Sequence, residues 1–231
     1  MSEFITNLFS VPVWQGHHSD EDLNKRLKDL CYQWRDKPET DGLVSDAWEQ
    51  GKRSKEKEEQ DENGVTTFYS DNLILRDEWS ECVKFITDFC GHMLSTTHDL
   101  SDTTISLANM WATIYPQGGY VPQHIHNNTM MSGVYYVQAK EDAGDLVFTD
   151  PSWIAKGMIA LGKHSTAFPH SGTKFTIPVH DNKIVIFPSW LPHHTLANKS
   201  GEDRIIISFN LVFNNGATNQ IIKEKEVEDV S

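Results

Sequence analysis

The sequence has little cysteine: Cys31, Cys82 and Cys90 are the only three in 231 residues. Their spacing suits neither a disulfide framework nor a thiolate metal site. Cys82 and Cys90 fall on the apolar side of a predicted helix, which fits buried thiols in a reducing compartment. No run of 18 apolar residues occurs, so no segment is expected to cross a membrane as a helix. The opening MSEFITNLFSVPVW lacks the basic start and continuous apolar stretch of a secretion signal. Positive charge is also scarce. With 20 Lys and Arg against 33 Asp and Glu the formal net charge is −13, which argues against general binding to nucleic acid or anionic membrane surfaces. No internal repeat is visible. These absences lead to the expectation of a soluble, cytoplasmic protein.

What is present is enough for a core: 38% hydrophobic and 10% aromatic residues fit one elaborated domain. We read residues 1–222 as that domain, with helical support over about 1–102, a β core over about 103–213, and a charged tail, 223–231. Phe4–Trp14 reads as a short strand or extended lead-in. Leu23, Leu27, Leu30 and Trp34 recur at helical spacing between Asp20 and Trp34, with Ser19 as the expected N-cap. A second helix is predicted over Asp77–Leu94, with Trp79, Val83, Ile86, Phe89, Cys90 and Met93 along one side. Between the helices, residues 36–64 are dense in charge. Lys52–Gly64 reads as a solvated insertion, or as a flap over an active-site mouth.

From about residue 103 the chain becomes a succession of runs rich in Val, Ile, Thr, Tyr and Phe, separated by Gly, Pro, Asn and Asp. Strands are predicted at Ile105–Tyr115, Met131–Val137, Asp145–Phe148, Lys174–Ile177, Lys183–Phe187 and Arg204–Phe213. The fold class is therefore mainly β with flanking helices, in a sandwich or barrel.

Of eleven histidines, four stand out. His124 and His126 in PQHIHNN are two residues apart, so on an extended backbone both rings project to one side and can share a metal ion. His193 and His194 sit in FPSWLPHHTLAN, between two apolar runs. In the last predicted strand Ile205, Ile207, Phe209, Leu211 and Phe213 alternate with Arg204, Ser208 and Asn210. An arginine fork and a hydroxyl on one inner face suit a carboxylate.

These residues carry a resemblance. The motifs LFSVPVW, HIHNNTMMSGVYYV, GDLVFTDP and FPSWLPHHTLANKSGEDRIIISFN resemble a family of 2-oxoglutarate/Fe(II) oxygenases, prolyl-hydroxylase-like and found mainly in marine bacteria and phages. The likeness spans roughly residues 4–213. It implies a double-stranded β-helix (jelly-roll, cupin-like) core, Fe(II) as cofactor and 2-oxoglutarate as co-substrate. It further implies His124 and His193 as metal ligands, His193 being favoured over His194 by the pattern Trp190-Leu191-Pro192-His193. Arg204 and Ser208 would hold the distal carboxylate of 2-oxoglutarate, with Tyr115 and Tyr136 donating hydroxyls. The implied activity is hydroxylation of a peptidyl residue such as proline, or of a small metabolite. Trp111, Trp153 and Trp190 are candidates to line the substrate pocket. A phage origin would place the protein in the host cytoplasm, and a homodimer is left open.

One position departs from the family. Where it has a carboxylate, two residues after the first histidine, this chain has His126. A three-imidazole site leaves Fe(II) its full +2 charge, whereas two imidazoles and a carboxylate reduce it to +1. Asp145 or Asp150 could supply the missing carboxylate. The departure also keeps two other readings open: a three-His cupin-like dioxygenase that does not use 2-oxoglutarate, and a metal-binding jelly roll without turnover.

Overall fold

The computed structural model describes residues 10–36, 58–60, 66–152 and 173–215. Most of Phe4–Trp14, most of Lys52–Gly64, the tail, Trp153, His164 and His170 lie outside them. In chain order the elements are β1 (Trp14–His17), α1 (Glu21–Asp36), β2 (Glu58–Gln60), β3 (Thr66–Tyr69), α2 (Ser80–Ser95, entered through a single 3₁₀ turn, Asp77–Trp79), β4 (Thr103–Tyr115), β5 (Met131–Gln138), β6 (Leu146–Thr149), β7 (Lys174–Ile177), β8 (Lys183–Pro188), β9 (His193–Thr195) and β10 (Arg204–Asn215). All six predicted strands are present with ends shifted by at most two residues. The short strands β2, β3 and β9 carry no apolar alternation in the sequence and become strands only by pairing.

The strands form two antiparallel sheets, one of order β1-β8-β5-β10-β4-β3-β2 and one of order β7-β6-β9. Each residue on a strand faces one side or the other in turn, and the large sheet uses both. Ile205, Ile207, Phe209 and Leu211 of β10 join Met110, Tyr135 and Ile186 in a core shared with α1 and α2. Ile206, Val134, Tyr136, Val185 and Phe187 face the other way, against Leu146, Phe148 and Ile177 of the small sheet. Helices, large sheet and small sheet thus make three layers, and the mouth between the two sheets is where a site can form. This is the double-stranded β-helix architecture.

Both predicted helices are present, with two adjustments. Asp20, not Ser19, caps α1, because its Oδ1 accepts the Leu23 N–H at 2.8 Å, and a carboxylate also suits the positive end of the helix dipole. On α2 the fully buried row is Cys82, Ile86, Cys90 and Leu94, while Val83, Phe89 and Met93 pack beside it half-buried. The three thiols are free and buried. No helix among the described residues is long and apolar enough to cross a membrane.

Helix α1 is fastened to the sheet by a buried polar cluster. Asn24 Nδ2 donates to the Val137 carbonyl at 2.8 Å, and the Tyr135 hydroxyl lies 3.1 Å from Asn24 Oδ1 and 3.0 Å from Asn182 Oδ1. Losing one member leaves buried groups unsatisfied, at about 1–3 kcal/mol. Asn24→Ala is therefore expected to lower the urea-unfolding free energy by about that amount. A loss below 0.5 kcal/mol on the same roughly drawn scale would show that the cluster does not anchor the helix.

Candidate active site

The site begins where β4 ends. After Tyr115 the chain turns through Gly118, and Gly118 N–H donates to the Asn198 carbonyl at 2.7 Å while Asn198 N–H donates to the Gly119 carbonyl at 3.0 Å. The strand-like stretch that follows runs beside β9. His124 and His193 exchange main-chain hydrogen bonds at 2.9 and 3.1 Å, so their rings leave adjacent backbones. His126, two residues on, has its N–H on the Ser189 carbonyl at 2.9 Å. The potential ligand atoms of His124, His126 and His193 lie within 4.8 Å of one another. Ring centroids are 4.2 Å apart for His124 and His193, 5.1 Å for His124 and His126, and 5.2 Å for the near-parallel His126 and His193.

Two of the rings are oriented by carbonyl groups. His124 Nδ1 stands 2.9 Å from the Pro122 oxygen and His193 Nδ1 stands 2.8 Å from the Leu191 oxygen. A carbonyl only accepts, so each Nδ1 carries the hydrogen and each Nε2 keeps its lone pair. Burial holds His193 neutral, its pKa lowered to about 3, with the neighbouring imidazoles adding to the effect. His126 is lowered to about 4 by burial and then by His124. Neutral imidazoles are the form that binds a metal. Phe187 and Phe148 stand against the His193 ring, at 4.5 and 6.1 Å between centroids, and keep water from its inner side.

The remaining predicted residues sort as follows. His194 also lines the cavity that the triad reaches, but its ring is not among the three whose ligand atoms converge. Asp145 and Asp150 do not join the triad: Asp145 Oδ1 accepts from the Val179 N–H, and Asp150 Oδ1 holds the Ser152 turn. Ser208 lines a cavity of about 110 Å³ that also reaches all three histidines, and so do Tyr115, Tyr136 and Trp111. Trp111 lies 6.0 Å from His126 between ring centroids, whereas Trp190 is half exposed on the surface. Tyr69, also at the cavity, was not foreseen; it lies on β3, a strand with no sequence signal of its own.

Arg204 is fully buried behind Tyr115 and Thr195, two residues of the cavity wall. Its Nη1 donates to the carbonyls of Ala143, Gly144 and Leu196 at 2.7–3.0 Å, and its Nη2 to Thr195 Oγ1 at 2.9 Å. The guanidinium also lies 4.4 Å from the centre of the Tyr115 ring. No carboxylate is among these partners. Among the described residues its Nε has no hydrogen-bond partner, and neither has the buried hydroxyl of Tyr136. Burial lowers the Arg204 pKa and pushes that of Tyr136 up, but a guanidinium stays charged at neutral pH. The fork is thus spent on backbone carbonyls more than the sequence suggested. The Tyr115 hydroxyl is engaged by Tyr69.

Arg204 fits only because residue 144 is glycine. At φ +90°, a Cβ there would stand 2.6 Å from Arg204 Nη1 and 2.2 Å from the Leu196 oxygen. Gly144→Ala is expected to lower the melting temperature by several degrees, following roughly 1–3 kcal/mol of overpacking and backbone strain. Unchanged melting would mean that Arg204 is not seated against this turn.

Residues 109–210 match the protein family described as "Putative 2OG-Fe(II) oxygenase". A search of curated proteins finds no match. Among solved structures, a Pseudomonas putida prolyl-4-hydroxylase superposes with a TM-score of 0.51 at 16% identity, over 88% of this chain and 94% of that one. The epimerase SnoN from nogalamycin biosynthesis, solved with Fe3+, alpha ketoglutarate and nogalamycin RO, gives 0.58 at 11% identity, over 89% and 81%. HygX from Streptomyces hygroscopicus, solved with nickel and 2-oxoglutarate, gives 0.51 at 8% identity, over 87% and 82%. At such identities the likeness is one of fold.

Proposed function

We propose that the chain is a 2OG-Fe(II) oxygenase, as the match of residues 109–210 to that family suggests, and that its site binds Fe(II) through His124, His126 and His193 and takes 2-oxoglutarate against Arg204 and Tyr136. The observation that carries this reading is that the cavity lined by the three histidines is also lined by Tyr115 and Thr195, against which the Arg204 guanidinium is buried. The potential ligand atoms of the three imidazoles converge, and among the described residues the hydrogen-bond partners of the buried guanidinium are carbonyls and a hydroxyl rather than a carboxylate. A buried charge without its counter-ion is strongly unfavourable. A dianion bound at the metal would bring negative charge towards both the ion and the guanidinium.

When bound, Fe(II) with 2-oxoglutarate and dioxygen supplies oxidative decarboxylation of the co-substrate and delivery of one oxygen atom to a C–H bond. The protein's part is positional. His124 and His193 present Nε2 because Pro122 and Leu191 hold their Nδ1 hydrogens. The Tyr136 and Ser208 hydroxyls, which line the cavity, would donate to the distal carboxylate, and Arg204 would supply positive charge from behind Tyr115 and Thr195. Phe148 and Phe187 shield the site from water, which strengthens every charge interaction inside it.

Trp111 and Tyr69 flank the outer side of the triad, and among the described residues no carboxylate, lysine or arginine lines the cavity. That favours a neutral group at the reacting end of the substrate, as a peptidyl proline or an uncharged part of a small metabolite would be. We further propose that residues 1–222 act as one cytoplasmic domain. His126 in the place of a carboxylate favours a second reading, a three-His dioxygenase independent of 2-oxoglutarate, which would leave Arg204 and Tyr136 without a task.

Anaerobic titration separates the two. Fe(II) protein is expected to develop a visible metal-to-ligand charge-transfer band on addition of 2-oxoglutarate. In Tyr136→Phe the half-saturating 2-oxoglutarate concentration should rise about tenfold, the worth of one charge-assisted hydrogen bond of roughly 1.5 kcal/mol. Fe(II) binding with no band at any 2-oxoglutarate concentration would select the second reading.

A further inference from the structure

His126 differs from the other two histidines in how it is held. His124 and His193 lock each other through two main-chain bonds, whereas His126 sits outside any strand, at the head of a turn in which Asn128 takes a left-handed φ of 61°. Ser189 grips both ends of that turn. Its carbonyl accepts the His126 N–H at 2.9 Å, and its N–H donates to the Met130 carbonyl at 3.1 Å. The Ser189 side chain is in turn tied into a run of polar groups that crosses the barrel. Thr129 Oγ1 donates to Ser189 Oγ at 2.9 Å, Ser132 Oγ stands 2.9 Å from Ser189 Oγ, Ser132 Oγ donates to Asn210 Oδ1 at 2.7 Å, and Asn210 Nδ2 donates to Asn109 Oδ1 at 2.7 Å.

The hydrogens in this run have one arrangement. A hydroxyl has a single hydrogen. Asn210 spends its amide on Asn109 and so accepts through Oδ1, which takes the Ser132 hydrogen. Ser189 must then donate to Ser132, and Thr129 to Ser189. All the donors point one way, from the His126 turn through β5 and β10 to β4, and bonds aligned in this manner reinforce one another. Ser132, Ser189 and Asn210 are all buried, so no member is replaced by water at low cost. The run ends at an irregularity in the β10–β4 register, after Asn210, where β4 carries one extra residue.

We propose that Thr129, Ser189, Ser132 and Asn210 are positioning residues for the third metal ligand, fixing the turn that carries His126. The proposal rests on the metal reading above, because it assigns the run to a ligand rather than to the fold at large. These residues do not touch the metal themselves. Their effect passes through the Ser189 main chain to His126.

Co(II) titration followed by visible absorption tests this, with His126→Ala as the reference for a lost ligand. Ser132→Ala removes the central hydroxyl and is expected to weaken Co(II) binding tenfold or more, the usual effect of losing a group that orients a ligand. Its Co(II) spectrum should shift from that of the parent towards that of His126→Ala, a change that a loss of stability alone does not produce. Thr129→Val, at the half-buried end of the run, should shift both in the same direction by less. A folded Ser132→Ala protein with the parent's affinity and spectrum overturns the proposal. If Ser132→Ala does not fold, parental binding by Thr129→Val overturns it instead. A parent that takes up no Co(II) overturns the metal reading, and this proposal with it, whereas failure of the variants alone leaves that reading in place.

Discussion

The reciprocal pair of main-chain hydrogen bonds between His124 and His193 is the contact on which the site depends. It joins the segment after β4 to the edge strand of the small sheet, and so connects the two sheets directly at the mouth between them. Because the two backbones are locked, the two rings start from adjacent positions, and carbonyls at Pro122 and Leu191 then set which nitrogen of each faces inwards. The consequences follow in order. Nearby backbone places the rings, the carbonyls choose the tautomers, and burial beside Phe148 and Phe187 keeps His193 neutral. A ligand set on loops alone would lack the first step.

Charge gives the site its character. The chain carries a formal charge of −13, yet among the described residues no carboxylate lines the cavity. Three imidazole ligands would do nothing to reduce the charge of a divalent ion, and Arg204 adds positive charge behind Tyr115 and Thr195 of the cavity wall. A site this cationic, enclosed by apolar walls, favours an anionic ligand far more than a two-histidine, one-carboxylate site would, because the missing acid no longer offsets the ion. On the proposed reading, His126 in place of a carboxylate and the lack of an acid among the described partners of Arg204 would act in the same direction, towards retention of a dianionic co-substrate.

Much of this was legible in the sequence where a regular period carried it. The alternation of Ile205, Ile207, Phe209 and Leu211 with Arg204, Ser208 and Asn210 correctly separates the helix-facing side of β10 from the side turned to the small sheet. The spacing of His124 and His126 agrees with the nearness of their rings, and the family resemblance around Trp190 implied His193, the histidine that converges with them. Tertiary arrangement supplied the rest. Tyr69 reaches the cavity from a strand formed only by pairing with β4. The Arg204 fork is turned into the carbonyls of Ala143, Gly144 and Leu196 by a left-handed glycine turn that no local pattern announces. The helix cap moved from Ser19 to Asp20, since neighbouring residues of similar capping power differ only in which one the chain direction presents to the Leu23 N–H. The polar run from Thr129 to Asn109 joins residues up to 101 positions apart in sequence, beyond any motif.

The central claim is that three imidazoles, and no carboxylate, hold the metal. X-ray absorption at the iron edge of the anaerobic Fe(II) protein measures this most directly, since the multiple scattering of imidazole rings counts them. The account predicts three imidazoles on the ion, falling to two in His126→Ala. Two imidazoles and a carboxylate oxygen in the parent protein would contradict it.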